Sequence, residues 1–269
     1  MDPHVAANRA NWDDRVPVHL ASSHYDINGW LAHRRGPRVE ELDALGDVAG
    51  LDLVHLQCHF GMDTLAFAHA GAQVTGIDFS PVAIGEARSL AARAGLTDRA
   101  RFVEADVLQA ADAVDGQTYD IVYVSLGALC WLPSITQWAA QVAGLLRPGG
   151  RLYLHDVHPL MVAVADDDLR FQYSYFEEAQ PASYDDATTY TDGDAPLANT
   201  RTYEWNHSLG EIVTAVLAHG LQIDQLTEHD WTTYPRFPWL IQTGERRWRS
   251  PTERPRVPLS FTLLASAPP

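Results

Sequence analysis

Lysine is absent from this sequence of 269 residues, in which all 19 basic residues are arginines. No lysine amine is therefore available as a general base or as a Schiff-base nucleophile. Cysteine is also scarce, and Cys58 and Cys130 lack the spacing of a metal or redox site. We expect both to be buried thiols, and we expect no catalytic metal. The exclusive use of arginine indicates a coding bias, as in a GC-rich bacterial genome.

Long hydrophobic runs are missing as well, and so is a net positive charge. The polar, acidic start of the chain resembles neither a signal peptide nor a transit peptide, so we expect a cytoplasmic protein without a membrane partner. A formal charge of -16 repels phosphate backbones and disfavours nucleic acid as a partner. With 46% hydrophobic residues, the chain predicts one large globular domain or one domain with an insertion, as a monomer or homodimer.

The most informative stretch is residues 53–80, which predicts a strand, a tight turn, a helix and a second strand. Gly61 lies in the turn, Gly71 is placed to end the helix, and Asp78 follows the second strand. Ligands of open α/β sheets bind where the strands end. We therefore expect the backbone around Gly61 to approach a cofactor and the Asp78 carboxylate to accept hydrogen bonds from ribose hydroxyls.

The turn indicates which cofactor is bound. A dinucleotide fold places G-x-G-x-x-G at this point so that a pyrophosphate reaches the helix N-terminus. Here residues 57–61 read QCHFG and contain a single glycine. The turn therefore argues against a nicotinamide dinucleotide and favours S-adenosylmethionine, whose amino-acid end is smaller.

At these residues the chain resembles the class I S-adenosylmethionine-dependent methyltransferases. Their first motif reads roughly V-L-D-L-G-C-G-x-G, and residues 53–61 read LVHLQCHFG. His55 replaces the usual acid, Gln57 and His59 replace the first two glycines, and Gly61 retains the third. This variant is similar to that of a bacterial HLQCHFG-type subgroup of small-molecule methyltransferases.

The rest of the chain continues the α/β pattern. Further strands are predicted at residues 101–105, 119–125 and 151–156, and a last antiparallel hairpin at 221–227 and 259–265. With the resemblance, this predicts an α/β fold: a Rossmann-like, seven-stranded, mostly parallel sheet with helices on both faces, an N-terminal helical lid and an aromatic-rich insertion after strand five.

Three parts of the chain follow from this organisation. Residues 1–50 are interpreted as the lid, with short helices at 7–15 and 27–33, or alternatively as an extension that covers the sheet edge. Residues 51–158 and 207–269 form the cofactor-binding core. Residues 159–206 form a substrate-covering insertion, which is too long to lack strands of its own.

The resemblance implies a set of cofactor contacts, with Asp78 on the ribose, Asp106 and the Val107 N–H on the adenine, and Ser125 and Leu126 on the methionine portion. The alternatives are a helix cap for Asp78, a surface turn for Asp106, and for His59 a side chain that points away. The full predicted set is Tyr25, Gln57, His59, Gly61, Asp78, Phe79, Asp106, Val107, Ser125 and Leu126.

Catalytic candidates lie at the end of the fifth predicted strand. Asp156 and His158 are spaced by two and share a face if the strand persists, so that the carboxylate could orient the imidazole as a general base. The alternative is that Asp156 caps the next helix and His158 lies in a turn. His155 and His158 would point to opposite faces, which disfavours a metal.

The substrate side is rich in aromatic residues. Trp131 follows the fourth strand and is expected to line the pocket or to pack in the core. In the insertion, Tyr175 and Trp205 are the predicted substrate contacts. Such a lining favours a small aromatic or cationic substrate, unless these rings only pack a β-hairpin on the sheet.

Two functions from different classes remain. The first is methyl transfer from S-adenosylmethionine to an O, N or C atom of a small molecule. The second is an S-adenosylmethionine-binding protein that transfers no methyl, either a regulatory module or an enzyme of cyclisation or elimination. Convergence of Ser125, Trp131, Asp156 and His158 on one open cavity would favour the first.

Overall fold

The computed structural model describes residues 2–165, 169–192, 195–244 and 246–269. Its helices are α1 (Pro3–Ala21), α2 (Ile27–His33), α3 (Val39–Leu45), α4 (Met62–His69), α5 (Pro81–Ala94), α6 (Ala110–Ala113), α7 (Ile135–Leu145), α8 (Pro159–Ala163) and α9 (Leu209–Ala218). Its strands are β1 (Asp52–Leu56), β2 (Gln73–Asp78), β3 (Ala100–Glu104), β4 (Tyr119–Ser125), β5 (Leu146–Val157), β6 (Ala182–Asp185), β7 (Arg201–Glu204), β8 (Gln222–His229), β9 (Trp231–Thr232), β10 (Ile241–Gly244), β11 (Arg247–Arg249) and β12 (Ser260–Ser266).

A seven-stranded sheet in the order β3-β2-β1-β4-β5-β12-β8 forms the centre of the molecule. Strands β1 to β5 pair in parallel, and β12 is antiparallel to both of its neighbours. The predicted fold class, including the last antiparallel hairpin, is confirmed. The strand order reverses between β1 and β4, where Leu56 pairs with Ile77 on one side and Val124 on the other. A crevice at this reversal is where such sheets bind ligands.

Both faces of the sheet are covered by helices. The side that carries α7 and α9 buries Trp138 and Phe261, whereas the side that carries α4 and α5 buries Phe67 and Phe60. Each of these side chains is at most 1% exposed. Burial of a side chain of this size stabilises the fold by roughly 1.5–3 kcal/mol, so the core holds the strand ends rigidly in place.

The N-terminal region is more helical than its sequence indicates. Helix α1 begins at Pro3, where the Asp2 carboxylate accepts the N–H groups of His4 and Val5, and it continues through Pro17. Helix α2 has its predicted bounds. Helix α3 was not predicted; it begins with a capping box in which Glu41 accepts from the Arg38 N–H at 2.7 Å.

Helix α1 is hydrogen-bonded to the insertion. Asn8 is fully buried and exchanges hydrogen bonds with the backbone of Tyr203, donating to its carbonyl at 2.7 Å and accepting from its N–H at 2.8 Å. The insertion contains the predicted strands as the hairpin β6–β7. Its residues 166–168 and 193–194 lie outside the described part. The segment between β8 and β12, for which no strand was predicted, forms the small sheet β10-β11-β9.

No helix within the described residues combines the length and the apolar character that a membrane span requires.

Candidate cofactor and substrate site

A cavity of about 760 Å³ opens at the carboxyl ends of β1, β2, β4 and β5. Its volume lies in the roughly 300–1,000 Å³ range of small-molecule sites. Every predicted site residue except His158 and Tyr175 lines it, namely Tyr25, Gln57, His59, Gly61, Asp78, Phe79, Asp106, Val107, Ser125, Leu126, Trp131, Asp156 and Trp205. The sheet therefore brings most of the predicted residues to one place.

The turn between β1 and α4 keeps the conformation of a glycine-rich loop with only one glycine. Gln57, His59 and Gly61 all have left-handed backbones, with φ of +58°, +51° and +77°. A side chain in this region costs roughly 1–2 kcal/mol, which explains why the family motif has glycine at these three positions. Here the strain is offset locally, since the Gln57 amide donates to the Ala128 carbonyl at 2.8 Å.

Gly61 has a left-handed backbone and also leaves no room for a β-carbon. A β-carbon there would lie 2.6 Å from Cε1 of Phe102. Gly61 also begins α4, because its carbonyl accepts from the Leu65 N–H at 2.8 Å. The turn can therefore approach a ligand closely only while this position is glycine.

Asp78 stands at the end of β2 with its carboxylate in the cavity. Its oxygens accept from the N–H of His59 at 2.8 Å and from that of Ser80 at 2.9 Å. A carboxylate has about four acceptor positions, so hydroxyl donors can still bind. Burial raises its pKa to about 6, although these N–H groups oppose the rise. The two N–H groups compensate only in part for the burial of the negative charge. The carboxylate can therefore accept two further hydrogen bonds, as from the two hydroxyls of a ribose. Capping of α5 is done by Ser80, which accepts from the Ala83 N–H at 3.0 Å.

Asp106 forms a turn contact and also lines the cavity, so its adenine contact stays a prediction. One oxygen accepts from the Leu108 N–H at 3.0 Å and caps the short 3-10 helix Val107–Gln109, while the residue also lines the cavity. At the end of β4, the Ser125 hydroxyl donates to the Asp63 carboxylate at 3.5 Å.

This second carboxylate, Asp63, was not predicted from the sequence. Burial raises its pKa, but Arg38 and Arg246 outweigh this, so the net shift is downward and the group is ionised.

Asp156 holds the loop that follows β4. Its oxygens accept from the N–H groups of Gly127, Ala128 at 3.2 Å and Leu129 at 2.9 Å. Burial raises its pKa, and these donors oppose the rise. The carboxylate is thus committed to backbone groups and positions the loop that carries Trp131.

His158 follows Val157, the last residue of β5, and does not line the cavity that Asp156 lines. The His158 N–H donates to the Leu259 carbonyl, and its ring caps α8 by accepting from the Leu160 N–H at 3.1 Å. Its Nε2 lies 2.9 Å from a Glu228 oxygen, outside the cavity lining. Burial lowers its pKa and Glu228 opposes this. A base role for His158 stays a prediction. The alternative had His158 in a turn and Asp156 as the cap of the next helix; the structure places His158 itself at the cap of α8, whereas Asp156 binds the loop after β4.

We expect His158→Ala to cost stability rather than cofactor affinity. Loss of a helix cap costs about 1 kcal/mol, whereas no cavity contact is removed. Thermal unfolding and calorimetry with S-adenosylhomocysteine measure the two quantities. The matched variant is His158→Asn, which can still cap and should unfold near the wild-type temperature. A normal stability of His158→Ala together with a changed pH–rate profile would instead support the base.

The three predicted substrate contacts separate in the structure. Trp131 and Trp205 line the cavity, and the Trp205 N–H donates to the Cys130 carbonyl at 2.8 Å. Tyr175 does not reach it; its hydroxyl accepts from the Leu209 N–H at 3.4 Å, at the start of α9. Tyr175 is therefore placed to orient a helix, and its substrate role stays a prediction without support from its position.

A hydrogen-bonded chain that was not predicted joins three separate segments at the cavity. The ring of His19, in α1, lies 2.9 Å from His59 in the turn and 2.8 Å from the Thr189 hydroxyl in the insertion. Burial lowers the pKa of His19 to about 3, so this imidazole is neutral. Nearby, the hydroxyls of Tyr25 and Tyr190 are 2.5 Å apart. Only long-range contacts reveal these pairs.

Within the described residues, no group of His, Cys, Asp and Glu side chains is arranged to hold a metal ion.

The fold and this cavity define an α/β protein of the Rossmann-like class with an open ligand site at the strand ends. Residues 54–150 match the family model described as "Methyltransferase domain". An S-adenosylmethionine dependent methyltransferase from Mesorhizobium loti shares the fold, with a TM-score of 0.53 and 20% identity over 83% of this chain and 94% of that chain.

Curated relatives agree with this match. "Methyltransferase phqN" of Penicillium fellutanum is 25% identical over 218 residues, which cover 80% of this chain. A ubiquinone biosynthesis O-methyltransferase of Methylococcus capsulatus is 32% identical over 116 residues, or 43% of this chain. The chain spans 58% and 47% of the lengths of these two relatives. Residues 54–150 therefore match a methyltransferase domain, and over that part of the chain the resemblance found in the motif is confirmed.

Proposed function

We propose that this protein binds S-adenosylmethionine at the carboxyl ends of β1 to β4 and transfers its methyl group to an O, N or C atom of a small molecule. The observation that carries the proposal is the joint placement of the left-handed turn and the buried Asp78 on one open cavity. The match of residues 54–150 to a methyltransferase domain supports it.

The residues of the chain act by position and by electrostatics. Asp78 accepts the ribose hydroxyls, Asp106 accepts the adenine amino group, and the left-handed turn lets its backbone approach the amino-acid end. When bound, S-adenosylmethionine supplies a methyl group that its positive sulfur already activates. Asp156 holds the loop after β4, so that Trp131 presents a fixed wall to the acceptor. Positioning alone lowers the barrier of such a displacement substantially, and no protein base is required.

The open volume of the cavity favours methyl transfer over a binding role. Of the four residues whose convergence would favour methyl transfer, all but His158 line the same cavity as the cofactor residues, namely Ser125, Trp131 and Asp156. The cavity extends to Trp205 and Tyr234. A module that only binds the cofactor would have no use for this extension. The aromatic lining supports a flat acceptor.

The test is binding followed by transfer. We expect calorimetry to give a micromolar or tighter dissociation constant for S-adenosylmethionine and S-adenosylhomocysteine, about -8 kcal/mol, and no heat with NAD. A metabolite extract incubated with methyl-labelled cofactor should then yield a labelled small molecule. Binding of NAD alone would overturn the proposal. Cofactor binding without label transfer across varied extracts would favour the non-transferring alternative.

A further inference from the structure

One wall of the cavity, formed by Trp12, Arg15 and Trp131, carries a positive charge between indole rings. The Arg15 guanidinium carbon lies 4.9 Å from the ring centroid of Trp12 and 5.6 Å from that of Trp131. The two indoles meet edge to face with their centroids 5.4 Å apart. All three residues are half-buried and line the cavity. We call these three residues the Arg15 wall.

Arg15 is held in place but its charge is not neutralised by a direct partner. Its Nε donates to the Asn11 side chain at 2.7 Å, and fully buried Asn11 is itself fixed by donating to the Asn199 carbonyl at 2.6 Å. Within the described part of the chain, no carboxylate forms an ion pair with Arg15, and its terminal N–H groups donate to no other residue. The two terminal nitrogens of the guanidinium are therefore held in a fixed orientation and can donate hydrogen bonds to a ligand.

The surroundings of Arg15 leave its charge under-compensated. Burial lowers its pKa, and the more distant Tyr190, Glu204 and Asp186 offset this only in part. A buried cation gains most from an anion that reaches it directly. Two parallel N–H groups match the two oxygens of a carboxylate, and this geometry is specific as well as strong. The indoles beside it offer flat apolar surfaces to the remainder of the same ligand.

The Arg15 wall adjoins the predicted cofactor site. The ring of His59 lies 5.2 Å from Trp12, centroid to centroid, while the His59 N–H donates to Asp78 at 2.8 Å. One residue therefore separates the proposed ribose contact from the indole surface. A ligand on the wall would lie in the same cavity as the methyl donor, on the side covered by α1 and the insertion.

We propose that the Arg15 wall binds the carboxylate of a flat aromatic acid, and that the acceptor of this protein belongs to that class. The inference rests on the proposed function for the role of the ligand as acceptor. Between the aromatic and the cationic substrates that the sequence predicts, it selects an aromatic one and disfavours a cation directly at this wall, because Arg15 would repel it.

The experiment compares three probes of one shape. Benzoate, benzamide and benzylamine are titrated calorimetrically into the protein, with and without saturating S-adenosylhomocysteine. We expect benzoate to bind at least about tenfold more tightly than benzamide, and benzylamine to bind weakest. Arg15→Met should abolish the preference for benzoate, and Arg15→Lys should keep part of it. The control Arg93→Met removes an equal charge from an exposed position of α5 and should leave the preference intact.

The outcomes separate the two proposals. Affinity for S-adenosylhomocysteine and circular dichroism report whether Arg15→Met retains the cofactor site and the fold. If the protein binds no S-adenosylhomocysteine but still prefers benzoate through Arg15, the proposed function fails and the anion site stands. Equal binding of benzoate and benzamide, no binding of benzoate, or an unchanged preference in a folded Arg15→Met variant would overturn the anion site.

Discussion

Gly61→Ala is expected to remove cofactor binding and to destabilise the protein by about 2–5 kcal/mol. Two costs add here. The left-handed backbone, with φ of +77°, costs a side chain roughly 1–2 kcal/mol. The β-carbon would lie 2.6 Å from Phe102, and such overpacking costs about 1–3 kcal/mol more. Urea denaturation gives the free energy of unfolding, and calorimetry with S-adenosylhomocysteine gives the affinity.

Gly85→Ala is the matched control. Gly85 lies exposed in α5, and a β-carbon there would meet no atom within 4 Å, so alanine should be neutral or stabilise the helix by about 0.5–1 kcal/mol. If Gly61→Ala does not fold, the double variant Gly61→Ala/Phe102→Leu relieves the steric part and should recover some stability. A Gly61→Ala variant as stable as Gly85→Ala, with unchanged cofactor affinity, would contradict the geometry of the turn.

Asp78→Asn is expected to raise the dissociation constant of S-adenosylhomocysteine tenfold to about a hundredfold. Hydrogen bonds to an ionised group contribute about 1.5–3 kcal/mol, and the variant loses the charge while it keeps the shape. Stability should fall by at most about 1–3 kcal/mol, because the amide keeps only one of the two oxygens that accept from the His59 and Ser80 N–H groups. The loss of the charge itself costs the fold little, because burial raises the pKa of this carboxyl. Asp98→Asn, in the exposed turn before β3, removes an equal charge and should leave the affinity unchanged.

The pH dependence of binding tests the same carboxylate. Its pKa is about 6 in the free protein, and ribose hydroxyls donate more strongly to the ionised carboxylate, which offers two acceptor oxygens, than to the protonated form. The dissociation constant should therefore rise as pH falls through 6, by up to about tenfold per pH unit below it. Binding at pH 6 should release protons, which calorimetry in buffers of different ionisation enthalpy detects. In Asp78→Asn both effects should vanish; if they persist, another group is responsible.

The N-terminal and substrate sides show where local sequence information ends. Helix α2 was predicted with its observed bounds, but α3 was missed because its start depends on the pairing of Glu41 with Arg38 and with the distant Tyr123 hydroxyl at 2.5 Å. Trp12 and Arg15 both lie in the predicted helix at 7–15, and Arg15 carried no motif. The proposed role of Arg15 depends on its contact with Trp131, which lies more than a hundred residues away in the sequence and is brought close only by the fold.

Asp156 and His158 also show that a local sequence pattern does not determine which partners a single side chain meets. Their spacing of two predicts a common face only along a continuing strand. The chain leaves β5 after Val157, and Pro159 begins α8, so that one side chain holds a backbone loop and the other faces Glu228. Pro159 is a local signal that the strand stops near His158, but the partners that each side chain meets there come from distant segments.

The sequence by itself determined the sheet, the turn at Gly61 and the acid at Asp78. Alternating strands and helices, one glycine and a strand-end carboxylate are local patterns, and the parallel sheet brings successive strand ends together without further information. The tertiary structure alone decided the His19–His59–Thr189 chain, the Arg15 wall and the placement of His158. These depend on how α1, the insertion and β8 pack across the sheet, because a side chain acquires its partners there from segments that the local sequence does not name.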